Sequence, residues 1–366
     1  MTSTCGVVQA AAAVDPTVGS SVEVTGGVDT HLNTHTVAAV DGAGRMLGSA
    51  QFPADRAGYA GLLSWLRSFG TLVLVGIEGT GAYGAGLTAF LQAEQIELVE
   101  VDRPDRKARR WQGKSDPVDA EAAARAALGR VRTGTPKRRD GRVEALRALR
   151  VARRCAITHR ADLQRRLKML LVTAPEPLRA ALRDLPTRQL LETCAALRPD
   201  PELVDDPTTA AKVALRSLAR RHRHLTIEID DLDTLIAPLV KRINPRLLAT
   251  PGIGTDVAGQ LLVTAGQNTN RLRSEAAFAM LCGAAPLPAS SGKTIRHRLN
   301  RGGDRQANCA LWRIVITRMA TDPTTRAYDA RRTSEGLSKT EIIRCLKRYV
   351  AREVHALLTA NDLDEP

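Results

Sequence analysis

The order of hydrophobic and polar positions divides the chain into an alternating part, up to about residue 128, and a helical remainder. The pattern predicts five strands. The first ends at Val28, and the other four cover residues 35–40, 45–52, 72–77 and 96–101. Helical spacing predicts four helices, over residues 57–69, 82–93, 104–112 and 117–128. The predicted order begins β-β-β-α-β-α-β and ends in helix.

Three strands joined by hairpins and then followed by α/β alternation indicate a mixed five-stranded sheet with helices on its faces. In such a sheet the first and fourth strands can lie side by side. Asp29 and Glu78 follow those two strands directly, so they are expected at neighbouring strand ends. This arrangement resembles the RNase-H-like or RuvC-like nuclease fold.

From about residue 138 the apolar residues adopt helical or near-heptad spacing. Long helices are predicted over 143–172 and 208–243, with a short helical insert between them. Such a pair indicates an antiparallel or intermolecular coiled-coil arm, which is a natural dimerisation element. The alternative is a compact helical domain folded on itself.

Pro245 marks a further boundary. The turn Pro251-Gly252-Ile253-Gly254 resembles a helix-hairpin-helix element, in which the backbone NH groups of glycines such as Gly252 and Gly254 meet a DNA phosphate. The same residues also occur in ordinary helix turns. A last basic amphipathic helix is predicted over 340–358. The predicted organisation is a tail over 1–20, an α/β domain over 21–135, a helical arm over 136–244, an all-α domain over 245–330 and a basic helix over 331–366.

The composition points to a polyanionic partner. The 366 residues carry a net charge of +14 and give a pI near 10.1, which is typical of nucleic-acid-binding proteins. A merely arginine-rich proteome would be expected to raise the acidic residues as well. Six scattered cysteines without metal-ligand spacing indicate reduced thiols in the cytosol. No stretch is apolar and long enough to predict a membrane span.

Four acidic residues stand out in this basic chain. Asp29 and Glu78 follow predicted strands, and Asp116 and Asp119 are three residues apart at the start of a predicted helix. Carboxylates placed in this way can converge on divalent metal ions, and two ions about 4 Å apart assist phosphodiester chemistry. The predicted ligands are therefore these four residues, with Asp29 between the metals. The alternative for any single one is a surface carboxylate or a helix cap, as for Asp116 before Pro117.

A second candidate site is a basic loop that contains two serines. Ser290 and Ser291 precede Gly292, and the loop and its flanks carry the cations Lys293, Arg296, Arg298, Arg301 and Arg305. A serine hydroxyl can attack phosphorus when a base, a metal or a positive field activates it, and arginines supply such a field. In the alternative interpretation the loop only binds phosphate.

A family resemblance favours the first interpretation. Val28-Asp29-Thr30-His31, Gly76-Ile77-Glu78-Gly79-Thr80-Gly81 and Lys114-Ser115-Asp116-Pro117-Val118-Asp119 are similar to the three motifs of the DEDD transposases of bacterial insertion sequences. Residues 251–254 and 290–308 resemble the C-terminal domain of the same family. The resemblance covers nearly the whole chain, in order.

This resemblance implies a RuvC-like domain that binds Mg²⁺, or Mn²⁺, and a C-terminal domain that supplies a serine nucleophile. It implies a phosphoserine intermediate in a site built from different subunits, and hence a dimer or tetramer. The implied partners are donor and target DNA and a structured guide RNA that the element encodes, in the bacterial cytoplasm at the nucleoid. Ser291, directly before Gly292, is the expected nucleophile, with Ser290 as its rival.

Two other functions remain open from the sequence. One is a RuvC-like endonuclease that hydrolyses DNA with water, and the other is a non-enzymatic RNA-binding scaffold. Retention of all four acidic residues argues against the scaffold.

Overall fold

The computed structural model describes residues 22–102, 115–294 and 297–360. The chain divides into two compact units between Arg139 and Asp140. The predicted tail over 1–20 and the predicted helix over 104–112 lie outside the described residues.

The first unit contains a mixed sheet. Its strands are β1 (Glu23–Thr30), β2 (Thr34–Asp41), β3 (Met46–Pro53), β4 (Thr71–Glu78), β5 (Leu98–Val101) and β6 (Thr133–Gly134). They lie in the order β3-β2-β1-β4-β5-β6. β1 pairs in parallel with β4, with Val28 opposite Ile77, so the predicted neighbours are indeed adjacent.

The predicted number of five strands is wrong by one. The sixth strand pairs antiparallel with β5 through Thr133 and Gly134. Two residues cannot display an alternating pattern, so hydrophobic periodicity gives no sign of this strand.

Three helices of the first unit fall within the described residues: α1 (Arg56–Arg67), α2 (Ala85–Ala93) and α3 (Asp116–Leu128). α1 begins where it does because the side chain of Asp55 accepts a hydrogen bond from the backbone NH of Gly58 at 2.8 Å. Leu62, Leu63 and Leu66 of α1 are buried against the sheet.

α3 lies directly on the backbone of the two central strands. A Cβ atom on Gly27 of β1 would be 2.0 Å from the backbone nitrogen of Ala124, and one on Gly76 of β4 would be 2.6 Å from Cβ of Ala127. Glycine in both strands, opposite alanine in the helix, therefore permits an approach that larger residues would prevent. This packing determines where the first turn of α3 lies relative to β1.

The second unit is helical. Its helices are α4 (Gly141–Val172), α5 (Glu176–Leu182), α6 (Thr187–Ala196), α7 (Pro207–Ile243), α8 (Pro245–Ala249), α9 (Thr255–Ala265), α10 (Glu275–Leu281), α11 (Arg305–Thr321), α12 (Pro323–Ser334) and α13 (Lys339–Thr359). Short 3₁₀ turns occur at Pro201–Leu203 and Thr269–Arg271. The predicted boundary after residue 330 lies inside α12.

The long helices α4 and α7 run antiparallel. Arg153 Nε donates to Asp233 Oδ1 at 2.5 Å, and further along α4 Arg160 Nη1 donates to Thr226 Oγ1 at 3.4 Å. As the residue number rises in α4 it falls in α7, so the pair forms within one chain. α5 and α6 pack at the far end of the pair, in a core that includes Leu167 and Leu215. A heptad seam and a dimer contact stay predictions.

The C-terminal helices share another core. It contains Leu247, Leu261, Phe278, Leu311 and Ile342, all fully buried. Asn244 links α8 to α13, since its Nδ2 donates to the carbonyl of Leu357 at 3.0 Å. In the part of the chain that is described, no helix has the length and apolarity required to cross a membrane.

Candidate metal centre and serine hairpin

The end of β1 and the start of α3 bring two carboxylates and a histidine together. His31 Nε2 lies 3.2 Å from Asp29 Oδ2 and 3.4 Å from Asp116 Oδ1. One ligand atom from each of the three residues lies within 4.8 Å of the other two. These atoms are close enough to bind one cation, and carboxylate oxygens are the donors that Mg²⁺ and Mn²⁺ prefer. The residues present therefore fit a divalent metal.

The electrostatics of Asp29 also favour a cation here. Burial raises the pKa of Asp29, and the neighbouring charges of Asp119 and Asp116 raise it further, while His31 opposes this effect. Burial and like charge both penalise an ionised carboxylate, and a bound cation relieves both penalties.

α3 begins one residue earlier than predicted, and this changes the role of Asp116. Ser115 is the N-cap residue and Asp116 is the first residue of the helix, so the suggestion that Asp116 is the cap is wrong. Asp119 follows one turn later and is almost fully buried. Both acidic residues lie at the positive end of the helix dipole, which stabilises their negative charge.

Glu78 is the last residue of β4, next to the end of β1. Its backbone carbonyl accepts a hydrogen bond from Thr30 Oγ1 at 2.8 Å, which joins the two strand ends. Among the described residues, the three-residue group that could hold an ion contains neither Glu78 nor Asp119. Metal ligation by Glu78 and Asp119 therefore stays a prediction.

His31 is the member of this cluster that sequence reasoning missed. The useful signal was its spacing from Asp29, because residues two apart in an extended chain lie on the same side. His35 instead is fully buried in β2 and stacks on Tyr59 with ring centroids 5.6 Å apart.

The two serines lie at the tip of a hairpin in the second unit. β7 (Leu287–Pro288) and β8 (His297–Arg298) pair antiparallel. Beyond them Ser291 and Thr294 exchange both backbone hydrogen bonds, at 3.2 and 3.1 Å. Gly292 has a φ of 57°, which suits the first central residue of a two-residue hairpin turn. Ser290 and Ser291 are both exposed.

Four described cations lie in this hairpin or follow it closely in the chain. Lys293, Arg298, Arg301 and Arg305 are all exposed, and Arg305 is the first residue of α11. Arg296 lies outside the described residues. Asp304 caps α11 by accepting from the backbone NH groups of Gln306 and Ala307, at 2.8 and 3.2 Å.

The glycine turn predicted before α9 connects two helices, as expected. Gly252 has a φ of 81° and Gly254 is the N-cap of α9. Arg318 of α11 holds this turn in place, because its Nε donates to the carbonyl of Pro251 at 2.8 Å. The same guanidinium also pairs with Glu353. A cavity of about 590 Å³ lies at this turn, and Trp312 also lines it.

The fold and the cluster define an α/β protein with a helical second unit and a candidate divalent-metal site at the end of β1. Comparison with known families supplies the particular relationship. The DEDD transposase family of IS110 elements matches residues 26–174, and the family described as "Transposase IS116/IS110/IS902 family" matches residues 244–330. The chain therefore belongs to the IS110 family of transposases, as the motifs implied.

Two curated relatives agree with this assignment. A 43.6 kDa protein of insertion element IS110 from Streptomyces coelicolor is 33% identical over 117 residues, or 32% of this chain and 29% of that protein. A 42 kDa protein of insertion element IS900 from Mycobacterium paratuberculosis is 28% identical over 167 residues, or 45% of this chain and 42% of that protein. The matched region thus spans less than half of each relative.

Proposed function

We propose that this protein is a DNA transposase that cuts and rejoins strands through a phosphoserine at Ser291. The observation that carries the proposal is the exposed serine pair at the tip of a basic hairpin, inside the region that matches a transposase family. An exposed hydroxyl held by a tight turn, with cations in the same hairpin and directly after it, suits attack on an anionic phosphodiester.

In the proposed step the Ser291 oxygen attacks phosphorus, and the new Ser–O–P bond replaces the bond from phosphorus to one DNA oxygen. The serine proton passes to a base, and the leaving oxygen takes up a proton. A hydroxyl of another DNA end then attacks the phosphoserine, which rejoins the DNA and restores the serine. The number of phosphodiester bonds is conserved, so no external energy source is required.

The candidate metal ligands are Asp29, Glu78, Asp116 and Asp119, with His31 beside them. Mg²⁺ or Mn²⁺ bound there would act as a Lewis acid that polarises the phosphoryl oxygens and lowers the pKa of an attacking hydroxyl. The carboxylates themselves would hold that cation in place. The buried position of Asp119 and the raised pKa of Asp29 support this assignment.

Several finer features belong to the same proposal. The strand order supports a RuvC-like first unit, and the turn at Gly252 and Gly254 supports a helix-hairpin-helix-like contact with a DNA backbone. The net charge of +14 supports a guide RNA as well as DNA as partners. The α4–α7 pair would serve as the coiled-coil arm of a dimer or tetramer.

The test is a search for a covalent protein–DNA adduct. Full-length protein is mixed with Mg²⁺, transcripts of the DNA that flanks its gene, and labelled DNA carrying those flanks, and the products are separated under denaturing conditions. We expect an adduct with the wild type and with Ser290→Ala, and none with Ser291→Ala or Asp29→Asn. An adduct that survives in Ser291→Ala but disappears in Ser290→Ala would transfer the role to Ser290.

The second candidate is a metal-dependent endonuclease that uses water. The acidic cluster of the first unit favours it, because that cluster needs no serine to support hydrolysis. Cleavage by the Ser290→Ala/Ser291→Ala double variant, without any adduct in the wild type, would establish this alternative. If the protein neither cleaves DNA, nor forms an adduct, nor binds metal, the remaining function is that of a non-enzymatic RNA-binding scaffold.

A further inference from the structure

A basic groove lies beside the serine hairpin in the second unit. It has a volume of about 980 Å³ and is bounded by α12, α13, β8 and the segment Gly283–Pro286. Among the described residues, seven arginine or lysine side chains line it, against a single carboxylate, Glu341. Such cations can form ion pairs within the fold, or they can bind an anion from outside it.

Ion pairs within the fold account for only part of this charge. Glu335 pairs with Arg331 and Arg332, and Glu275 pairs with Arg348 and Arg352. When Glu335 and Glu275, which flank the groove, are counted together with Glu341, seven cations still face only three carboxylates among the described residues. Cations held together in a concave surface raise the local potential, which concentrates anionic ligands there.

The aromatic residues of the groove distinguish it from an ordinary solvated face. Tyr328 and Tyr349 meet edge to face with their ring centroids 5.8 Å apart. The guanidinium of Arg352 lies 6.0 Å from the ring centroid of Tyr349, and that tyrosine is still 53% exposed. Aromatic rings interleaved with cations are the surface that single nucleic-acid strands use, with phosphates on the cations and bases against the rings.

Hydrogen bonds connect the groove to the segment that leads into the serine hairpin. Lys347 Nζ donates to Asn308 Oδ1 at 3.0 Å. Asn308 Nδ2 in turn donates to the carbonyls of Cys282 and Gly283, at 2.9 and 3.0 Å, just before the hairpin. Arg298, on the returning strand β8, lines the groove itself. A strand lying in the groove would therefore reach β8 of the hairpin.

We propose that this groove binds the phosphodiester backbone of a nucleic-acid strand next to the serine hairpin, with Arg344 on a phosphate and Tyr349 against a base. This inference rests on the proposed function only in that the protein acts on nucleic acid. α13, which supplies four of the seven cations of the groove, lies beyond residue 330, where the family match ends. DNA and RNA share the chemistry that the groove recognises.

The test measures binding by the full chain in the Ser290→Ala/Ser291→Ala background, where no adduct can form. Fluorescein-labelled single-stranded DNA, duplex DNA and single-stranded RNA of one sequence are titrated at salt concentrations between about 50 and 200 mM. Each phosphate contact contributes about 0.7–0.9 to the slope of log affinity against log salt. Arg344→Gln removes one exposed cation of the groove, and the matched control, Arg326→Gln, removes one exposed cation of α12 that does not line it.

We expect Arg344→Gln to lower the slope by about 0.7–0.9 for at least one of the three probes, and Arg326→Gln to leave it unchanged. Tyr349→Ala should weaken single-strand binding by roughly five-fold or more at constant slope. The probe that responds identifies the strand as DNA or RNA. The proposal would be overturned if Arg344→Gln and Tyr349→Ala bound all three probes as the wild type does. It would also be overturned if Arg326→Gln lowered the salt slope as much as Arg344→Gln does. Because these readouts need no catalysis, they stand even if the phosphoserine proposal fails.

Discussion

The backbone of Gly27 in β1 lies against the backbone of Ala124 in α3, with room for a hydrogen atom and no more. A Cβ atom on Gly27 would be 2.0 Å from the nitrogen of Ala124, whereas real Cβ atoms stay beyond 3.0 Å. Since Asp29 follows Gly27 by two residues and Asp116 opens α3, this contact determines the distance between the two carboxylates. The candidate metal centre therefore depends on Gly27, which is not itself a metal ligand.

Gly27→Ala should destabilise the first unit and weaken metal binding together. The added methyl group meets backbone atoms, which cannot rotate away, so α3 must shift at a cost of roughly 1–3 kcal/mol. Thermal unfolding and Mn²⁺ titration measure the two effects. Gly42→Ala is the matched control, since nothing lies within 4 Å of its Cβ position. Equal stability of the two variants would refute this account.

Asp29→Asn should lower Mg²⁺ and Mn²⁺ affinity by at least about ten-fold. The change removes the negative charge of Asp29 and keeps its shape, so the fold is expected to persist. Calorimetric titration of each metal provides the measurement. Glu94→Gln, which makes the same charge change at an exposed position after α2, should bind metal like the wild type. Unchanged affinity in Asp29→Asn would remove Asp29 from the ligand set.

Asp256→Asn should loosen the packing of α9 against α4 and α11. The carboxylate of Asp256 accepts from Arg150 at 2.9 Å and Arg153 at 3.2 Å, and it also pairs with Arg313. Three guanidinium groups would lose their shared anion, at a cost of roughly 1–3 kcal/mol for this partly exposed group.

Faster amide hydrogen exchange in α9, with a lower melting temperature, is the expected result for Asp256→Asn. Asp231→Asn changes the charge at an exposed position of α7 and serves as the control. If both variants exchange alike, the three-arginine cluster contributes nothing specific.

The ion pair of Glu275 should make the second unit sensitive to acid. Hydrogen bonds from Arg348 lower the pKa of Glu275 from 4.5 to about 2. A carboxylate with a depressed pKa contributes stability that is complete above 4.5 and is lost as the pH falls toward 2. Glu275→Gln should therefore melt at a lower temperature than the wild type at pH 7, and the difference should shrink between pH 4.5 and pH 2. A constant difference across this range would exclude the titration of Glu275 as its cause.

The elements with a clear hydrophobic period were predicted to within about three residues. α4 and α7 are examples, because each buries a regular stripe of apolar residues. α12 was not predicted, and it has no buried residue at all. A helix without an apolar stripe leaves no period in the sequence, so its existence depends on capping by Asp322 and on neighbouring helices.

The local order of residues was enough to predict that Asp29 and Asp116 lie close together in the first unit, as they do on either side of His31. Strand ends and a one-turn spacing in a helix follow from the backbone periods of 2 and 3.6, and those periods can be read from a sequence. The tertiary structure alone decided that the imidazole of His31 stands between Asp29 and Asp116, and that α12 and α13 enclose a basic groove. Both outcomes depend on how closely separate elements approach, and that distance is set by side-chain packing between residues far apart in the chain.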